Sequence, residues 1–357
     1  MHNIGPRINV PANSSRLFAT AKEAIEQPIA SVQLTFVDNV RYLSNTAFEP
    51  TKIRYDLNYC TSNIFHFLDS KTYFKSLLPK LSDFKSIIEV GCGQGEFMEF
   101  LSTLGFRTFG FDPVLRKTSE SLFNCLWSIE NEIIHVPRDS GLPKLYLMRC
   151  VLPHIPNPFT FLDSIFDFSP NCAVLLEFQR REWIHENGIW PQISHDHVNI
   201  FSISDFSDNY NLLSSGIFAE GEWAYVLLGK RNFLESDKYF EGVDSSFERI
   251  FEIKDSDLSF LAEQRKPIAI YGAAGKGIVF GYTLSQSGLG DILAIDDDSN
   301  RHGLFMDASG IMVSPPQHAL SVLERGSNIV VMNPSHLSKA TKIYEHKFNV
   351  LCIGKLG

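Results

Sequence analysis

The sequence predicts an α/β protein built from two Rossmann-like units in tandem, and three observations carry that prediction. A short apolar run, Ser86-Ile87-Ile88-Glu89-Val90, ends in the glycine loop Gly91-Cys92-Gly93-Gln94-Gly95, and a helix opens at Glu96. About twenty residues on, a second apolar run, Thr108-Phe109-Gly110-Phe111, ends in Asp112, where an α/β nucleotide site places a carboxylate for ribose hydroxyls. The same order returns near the C-terminus. There Ile268-Ala269-Ile270-Tyr271 runs into Gly272-Ala273-Ala274-Gly275-Lys276-Gly277, a helix spans Ile278 to Ser287, and Ile292-Leu293-Ala294-Ile295 ends in Asp296-Asp297-Asp298. Short apolar runs of this kind are buried parallel strands. The glycines let the backbone turn sharply and let a ligand come close, which a Cβ would prevent.

Length and composition agree. With 357 residues the chain has room for two or three domains, each able to bury a core. Apolar residues make up 44% and charged residues 20%, the balance of a soluble globular protein. A net charge of -9 argues against a nucleic-acid partner, which needs basic surface. Met1 to Arg7 has no signal-peptide core, and no apolar run is long enough to span a membrane. The six cysteines (Cys60, Cys92, Cys125, Cys150, Cys172 and Cys352) are scattered, with no Cys-x-x-Cys. That pattern fits reduced thiols in a cytoplasm and offers no metal site.

Taken in order, residues 1–75 are the least patterned and are expected to form a small N-terminal region. Within it Ala30 to Val37 alternates like a strand, and Val40-Arg41-Tyr42-Leu43 is placed to pair with it. Phe65 to Leu81 carries Phe67, Leu68, Phe74, Leu77 and Leu78 at helical spacing. A core domain is expected over 76–232. In it Leu115 to Leu126 reads as a helix and Ile133-Ile134-His135-Val136 as a third strand. Lys144 to Arg149 reads as a strand, followed by a loop and a helix from Phe159. Ala173 to Phe178 is another buried strand, and Gly221 to Gly229 closes the sheet. Residues 233–265 are charged, with Phe251, Leu258, Phe260 and Leu261 spaced for a helical connector. The second Rossmann-like domain then takes 266–357.

Glu89 just before Gly-x-Gly-x-Gly resembles the first motif of class I S-adenosylmethionine-dependent methyltransferases. The resemblance implies that Glu89, Gly91, Cys92, Gly93 and Gly95 pack around that cofactor, with Asp112 and Pro113 at its ribose. Arg149-Cys150-Val151-Leu152-Pro153-His154-Ile155-Pro156-Asn157-Pro158 is similar to the family's Arg-His-Val-Leu-Glu-His-Ile-Pro-Asp-Pro. Arg149, His154, Pro156 and Pro158 agree, whereas Cys150 replaces a histidine and Pro153 a glutamate. Upstream, Asn45-Thr46-Ala47-Phe48-Glu49-Pro50 and Tyr55-Asp56-Leu57-Asn58-Tyr59 resemble the N-terminal region of sugar methyltransferases, where a zinc ribbon leads into such segments. The family's zinc cysteines fall near Val37 and Val40. Valine cannot ligate zinc, so the ribbon is degenerate and no metal is expected. Tyr59 and Ser62 are expected to close over the cofactor, and Tyr55 over the substrate.

Tyr271 to Gly277 is similar to the start of the C-terminal domain of sugar C-methyltransferases. Asp296, Arg301-His302-Gly303, Val313-Ser314-Pro315-Pro316 and Ile329 to Pro334 agree with it. In that family the domain faces the core and helps hold a nucleotide-linked sugar. Ala274, Lys276 and Gly277, at a helix N-terminus, suit a phosphate, and Asn333 is a further substrate contact. Ser194-His195-Asp196-His197 lies in a stretch that the family writes Tyr-Glu-His-x-Asn-Tyr-Phe and that carries its proposed base. His197 falls on the family's histidine and Asp196 on its acid, while Ser194 and His195 stand where an aromatic residue is usual. Two histidines and an acid in four residues also resemble a metal cluster, but no third ligand stands at a recognisable spacing.

The expected function is methyl transfer from S-adenosylmethionine to carbon of a nucleotide-linked keto-deoxy sugar. His197 is the expected base and Asp196 orients it, with His195, His154 or Tyr55 polarising the carbonyl. The missing aromatic residue makes methylation of a sugar hydroxyl the alternative. NAD in the C-terminal glycine loop of an oxidoreductase or epimerase, or a binding protein with a decayed site, are the alternatives of other classes. The expected partner is one small molecule, with no nucleic acid and no membrane, and the protein is expected to be a monomer or homodimer.

Overall fold

The computed structural model describes residues 2–37, 42–59, 67–137, 142–207, 209–230, 245–289 and 291–356. The N-terminal region contains β1 (His2–Pro11), β2 (Leu17–Phe18), the short α1 (Ala21–Ile25), β3 (Ile29–Phe36) and β4 (Leu43–Asn45). β1, β3 and β4 pair antiparallel in that order. β3 is the alternating segment expected from sequence, and Leu43 does pair with it. The first strand was not legible, because His2, Asn3, Arg7 and Asn9 dilute its alternation. Val37 packs against the neighbouring core instead of holding a metal. Val40 lies outside the described residues. Among the described residues no group of three or more His, Cys, Asp or Glu gathers to hold a metal ion.

The central domain runs α2 (Phe67–Leu81), β5 (Ser86–Val90), α3 (Glu96–Thr103), β6 (Arg107–Phe111), β7 (Leu122–Phe123), α4 (Ile129–His135), β8 (Lys144–Arg149), α5 (Pro158–Phe168) and β9 (Ala173–Gln179). It continues through α6 (Arg181–Glu186), β10 (Asn199–Ile200), α7 (Ser204–Ser207), β11 (Asn211–Phe218) and β12 (Trp223–Gly229). Seven of these strands form one sheet in the order β11-β12-β9-β8-β5-β6-β7. β12 runs antiparallel to β9 and to β11, while β6, β5, β8 and β9 are parallel. Every residue of β5 and β9 is buried, because the sheet is covered on both faces. One face packs on Trp127, Leu162, Phe166, Phe201 and Phe206, and the other on Phe74, Leu77, Phe97 and Leu101. Chain order reverses between β5 and β8, which opens a crevice at their carboxyl ends.

Two expected elements differ. Leu115 to Leu126 is not a helix but a series of turns around the short strand β7. Asp112 Oδ1 accepts from Val114 N–H, Gln94 takes Arg116 N–H and Val114 C=O, and Asn124 donates to Leu115 C=O. Side chains thus occupy the backbone groups that a helix would need. Ile133 to Val136 is not a strand but the end of α4. Ser128 caps this helix, its Oγ accepting from Asn131 N–H at 3.1 Å. The strand pairing with β6 is Leu122–Phe123 instead. β11 was also missed, since Ser214, Ser215 and Gly216 interrupt its apolar pattern.

After α8 (Arg249–Gln264) comes the second sheet. Its elements are β13 (Ile268–Tyr271), α9 (Lys276–Gln286), β14 (Ile292–Ile295), β15 (Phe305–Met306), β16 (Val313–Ser314), α10 (Pro316–Val322), β17 (Asn328–Val331), α11 (Leu337–Tyr344) and β18 (Asn349–Cys352). Five parallel strands lie in the order β16-β14-β13-β17-β18, so this sheet reverses between β13 and β17. The expected helical connector is therefore present as α8, and 233–244 lie outside the described residues.

The N-terminal sheet shares its core with the second domain and with the segment that follows β9. Ile4, Val10, Val32 and Leu34 join Trp183, Trp190, Phe280 and Met306 in one apolar cluster. β2 pairs antiparallel with β15, Phe18 opposite Phe305. β10 returns from the central domain to pair with β4. The three parts are thus stitched by sheet pairing as well as by apolar burial. No helix among the described residues is long and apolar enough to cross a membrane.

The loop between β13 and α9 depends on a close approach. A Cβ on Gly277 would lie 2.0 Å from the Gly272 carbonyl oxygen, whereas one on Gly288, at φ +64°, would meet nothing within 4 Å. We expect Gly277→Ala to destabilise by about 2–3 kcal/mol and Gly288→Ala by about 1 kcal/mol, compared by denaturant midpoints. Equal midpoints for the two variants would refute the packing role of Gly277.

Candidate functional site

Both crevices open onto a single cavity of about 1,320 Å³. Glu89, Gly91, Gly93, Asp112 and Arg149 line it from the central sheet, Tyr55 and Tyr59 from the N-terminal region, and Tyr271, Lys276 and Asn333 from the second sheet. His154 and His197 line it as well.

At the first crevice the chain turns at Gly91 and Gly93, whose φ angles are +70° and +59°. A Cβ on Gly91 would meet Val151 Cγ2 at 2.3 Å. Asp112, at the end of β6, ties this loop down: its Oδ2 accepts from Gly93 N–H at 2.9 Å and its Oδ1 from Val114 N–H at 2.8 Å. Burial raises the Asp112 carboxyl, and these two amides oppose the rise. Cys92 and Pro113 also line the cavity, and burial holds the Cys92 thiol protonated. Gly95, in contrast, is not on the wall. It starts α3 with φ +90°, and a Cβ there would crowd Leu122. Ser62 lies outside the described residues.

Behind the loop, Arg149 stands between two carboxylates. Its Nη1 is 3.5 Å from Glu89 Oε1 and its Nε donates to Glu177 Oε2 at 3.2 Å. The Tyr73 hydroxyl and Ser70 Oγ also donate to Glu177. Burial pushes the Glu89 carboxyl up to about 8, with Arg149 acting against it. Glu89 Oε2 is buried and has no hydrogen-bond partner among the described residues. Cys150 follows with φ +60°, a strained backbone for a non-glycine residue at a ligand-facing loop.

The two histidines meet edge to face, ring centroids 4.6 Å apart. His154 Nδ1 is 2.7 Å from the Asp196 main-chain oxygen. Gln192 Nε2 donates to His197 Nδ1 at 2.9 Å. Tyr55 lies against both Tyr59 and His154, centroids 5.2 and 6.5 Å away. Burial, helped by the charge of His154, pulls His197 down to about 4. His197 is therefore neutral at pH 7.

The remaining expected residues need correction. His195 is not on the cavity. It is fully buried, its Nδ1 donating to Ser31 C=O at 2.8 Å and its Nε2 accepting from Glu49 N–H at 3.1 Å. Its role is to hold the Asn45 to Pro50 segment in place. The Asp196 carboxylate does not reach His197 either, because its Oδ2 accepts from Ser14 N–H and Oγ at 3.0 and 3.1 Å. Gln192, which the sequence did not single out, is the residue bonded to His197.

In the second crevice, Ala274, Lys276 and Asn333 are on the wall, but Gly277 is not. The Gly277 amide is taken by Ala274 C=O at 3.1 Å. Lys276 is not an unpaired cation: its Nζ donates to Glu222 Oε1 at 2.9 Å and lies 4.9 Å from the Trp183 ring centre. Glu222 also accepts from Asn333 Nδ2 at 2.8 Å and Gln179 Nε2 at 2.6 Å. Sequence reasoning missed Glu222 and Gln179. The only signal was their position, just before β12 and at the end of β9.

A family model described as a methyltransferase domain matches residues 62–209. No curated protein matches the chain. Among solved structures, an S-adenosylmethionine-dependent methyltransferase from Anabaena variabilis is 16% identical, over 48% of this chain and 86% of that one, with a TM-score of 0.34. Magnesium protoporphyrin IX methyltransferase from Synechocystis, with bound S-adenosylhomocysteine, is 11% identical over 48% and 89%, with a TM-score of 0.33. The Burkholderia thailandensis 1,6-didemethyltoxoflavin-N1-methyltransferase is 10% identical over 47% and 85%, with a TM-score of 0.31.

A methyltransferase-domain model thus covers most of the central sheet, and the cofactor expected there from the sequence motif is S-adenosylmethionine. The first crevice fits that group. Asp69, Glu96 and Asp112 face the cavity at this crevice beside Arg149, and three carboxylates near one arginine favour a cationic ligand. Glu89 Oε2 lacks a donor among the described residues, and Val114, Leu126 and Trp127 offer an apolar slot for a planar base.

Asp112→Ala should weaken S-adenosylhomocysteine binding about 10–100-fold by calorimetry, the loss of about 1.5–3 kcal/mol of charge-assisted bonding. Unchanged affinity would remove Asp112 from the site. The depressed His197 pKa carries a second expectation. The unfolded chain protonates this histidine near 6.5 and the folded chain near 4, so acidification through that window favours unfolding, by at most about 1.4 kcal/mol per pH unit. Urea titrations of wild type and His197→Gln should diverge between about pH 6.5 and 4, with the wild type losing more stability as pH falls.

Proposed function

We propose that this methyltransferase acts on a nucleotide-linked keto-deoxy sugar and methylates carbon next to the ketone through an enolate. One observation supports the reading above the others: the two sheet-reversal crevices share one cavity, with the two histidines on its wall. At about 1,320 Å³ it exceeds the roughly 300–1,000 Å³ of a site for one small ligand. A cofactor in one crevice and a nucleotide in the other would bring their reacting ends together near His154 and His197.

The residues divide the work. Glu89, Gly91, Gly93 and Asp112 hold the cofactor, which when bound supplies an electrophilic methyl group on a sulfonium. Because Lys276 is neutralised by Glu222, a diphosphate in the second crevice would rest on the main-chain amides of Ala274, Gly275 and Lys276 rather than on a lysine charge. Gln179 Oε1, buried and unpartnered on the same wall, can accept from a sugar hydroxyl. Tyr55 and Tyr59 cover the cavity and limit water. His154 and His197 handle the proton: one takes it from the acidic C–H, and the other donates to the oxygen that gains charge.

The serine and histidine at 194 and 195, where the sugar C-methyltransferases carry an aromatic residue, keep O-methylation as a second reading. One imidazole suffices for a hydroxyl.

His154→Ala and His197→Ala are each expected to lower transfer roughly 10²–10⁴-fold while S-adenosylhomocysteine binding persists. Full turnover by either variant in a methyl-release assay would remove that histidine from the mechanism. Product NMR separates carbon from oxygen, since only an O-methyl gives a methoxy resonance. S-adenosylhomocysteine at a hundred times its Kd should stabilise the protein by about 2.7 kcal/mol in a thermal shift, whereas NAD should not. A shift with NAD alone would favour an oxidoreductase.

A further inference from the structure

We propose that the roles of the two histidines are the reverse of those the sequence pattern assigns: His154 Nε2 accepts the proton, and His197, held by Gln192, donates Nε2–H to the substrate oxygen. The assignment rests on the proposed proton transfer and gives it a direction.

Hydrogen-bond partners fix the tautomer of each ring. A carbonyl oxygen can only accept. The Asp196 main-chain oxygen lies 2.7 Å from His154 Nδ1, so that nitrogen carries the hydrogen. In the neutral ring Nε2 is then the lone pair, and the ring lines the cavity. An amide nitrogen can only donate. Gln192 Nε2 lies 2.9 Å from His197 Nδ1, so His197 accepts there and its hydrogen is on Nε2. The rings sit 4.6 Å apart, and a charge on either opposes a charge on the other. His197 is therefore the ring that stays neutral and donates, which agrees with its depressed pKa. The buried Asp196 carboxylate, whose Oδ1 has no partner among the described residues, provides negative charge near the pair when His154 becomes an imidazolium.

The step balances without any further reagent. The C–H bond breaks and its proton forms a bond to His154 Nε2. The C–H electron pair moves into a C–C double bond, and the carbonyl π pair settles on oxygen. That oxygen accepts from His197 Nε2–H. Gln192 is a positioning residue, since it acts only by selecting the tautomer of His197.

The test needs no substrate. In full-length protein with ¹⁵N-labelled histidine and S-adenosylhomocysteine, long-range ¹H–¹⁵N spectra report which ring nitrogen is protonated. His154→Gln and His197→Gln identify the two rings. At neutral pH we expect His154 with hydrogen on Nδ1 and His197 with hydrogen on Nε2, and the opposite pattern in either ring overturns the assignment. Gln192→Glu puts an acceptor against His197 Nδ1 and should move that hydrogen from Nε2 to Nδ1, leaving His154 unchanged. A spectrum that does not move would remove Gln192 from the scheme. With a thymidine-diphosphate-linked keto-deoxy sugar as acceptor, His197→Gln, which keeps an N–H near Nε2, should recover roughly tenfold or more of the transfer lost in His197→Ala. His154→Gln should recover none relative to His154→Ala, and the reverse order overturns the roles. Failure of the wild type to methylate that sugar counts against the proposed substrate, while the tautomers are judged by their spectra alone.

Discussion

The Glu222 carboxylate accepts hydrogen bonds from Gln179, Lys276 and Asn333, and it is only 6% exposed. These three donors come from the end of β9, the start of α9 and the loop after β17. One side chain therefore joins the carboxyl ends of two separate sheets. Breaking a buried ion pair of this kind typically costs about 3–5 kcal/mol, because the remaining charge is left uncompensated. The consequence here is geometric: with Glu222 in place, the two crevices face the same cavity. The apolar cluster around Trp183, Trp190 and Phe280 backs the contact, with the Trp190 indole donating to Asp257 at 3.0 Å.

A second buried carboxylate–cation group organises the first crevice from behind. Glu89, Arg149 and Glu177 lie on three neighbouring strands at nearly the same level, so β5, β8 and β9 are held in register where the ligand loops leave the sheet. Were both carboxylates ionised, they would outweigh the one guanidinium in a low-dielectric setting. That is why burial can raise the Glu89 carboxyl so far despite its arginine. A cationic ligand at the cavity wall would complete the balance.

The histidine turn shows how main-chain groups set side-chain chemistry. Asp196 affects the rings mainly through its backbone oxygen and its field, because its carboxylate is bonded to Ser14. His195, although adjacent in sequence, points to the other side of the chain and serves as a buried strut for the segment before Pro50. Three polar residues in a row thus have three different surroundings.

By itself the sequence determined the elements whose signals are local. The glycine loops after β5 and β13, the acids after β6 and β14, and the strands at 268–271 and 292–295 were legible because close backbone turns and double-sided burial dictate residue type directly. Residues 115–126 are not the expected helix because side chains of Gln94, Asp112 and Asn124 claim backbone groups that local propensity leaves free, and 133–136 are not the expected strand because Ser128 caps a helix that runs through them. Glu222, Gln179 and Gln192 carried no local signal at all. The partners of Glu222 lie in other elements, as far away as 111 residues for Asn333, so only packing of the two sheets could reveal them, while Gln192 meets His197 only through the turn of the loop between them. The same holds for the division of labour between His154 and His197, since a tautomer is chosen by whichever neighbour the fold places 3 Å from Nδ1, and no spacing in the chain encodes that neighbour.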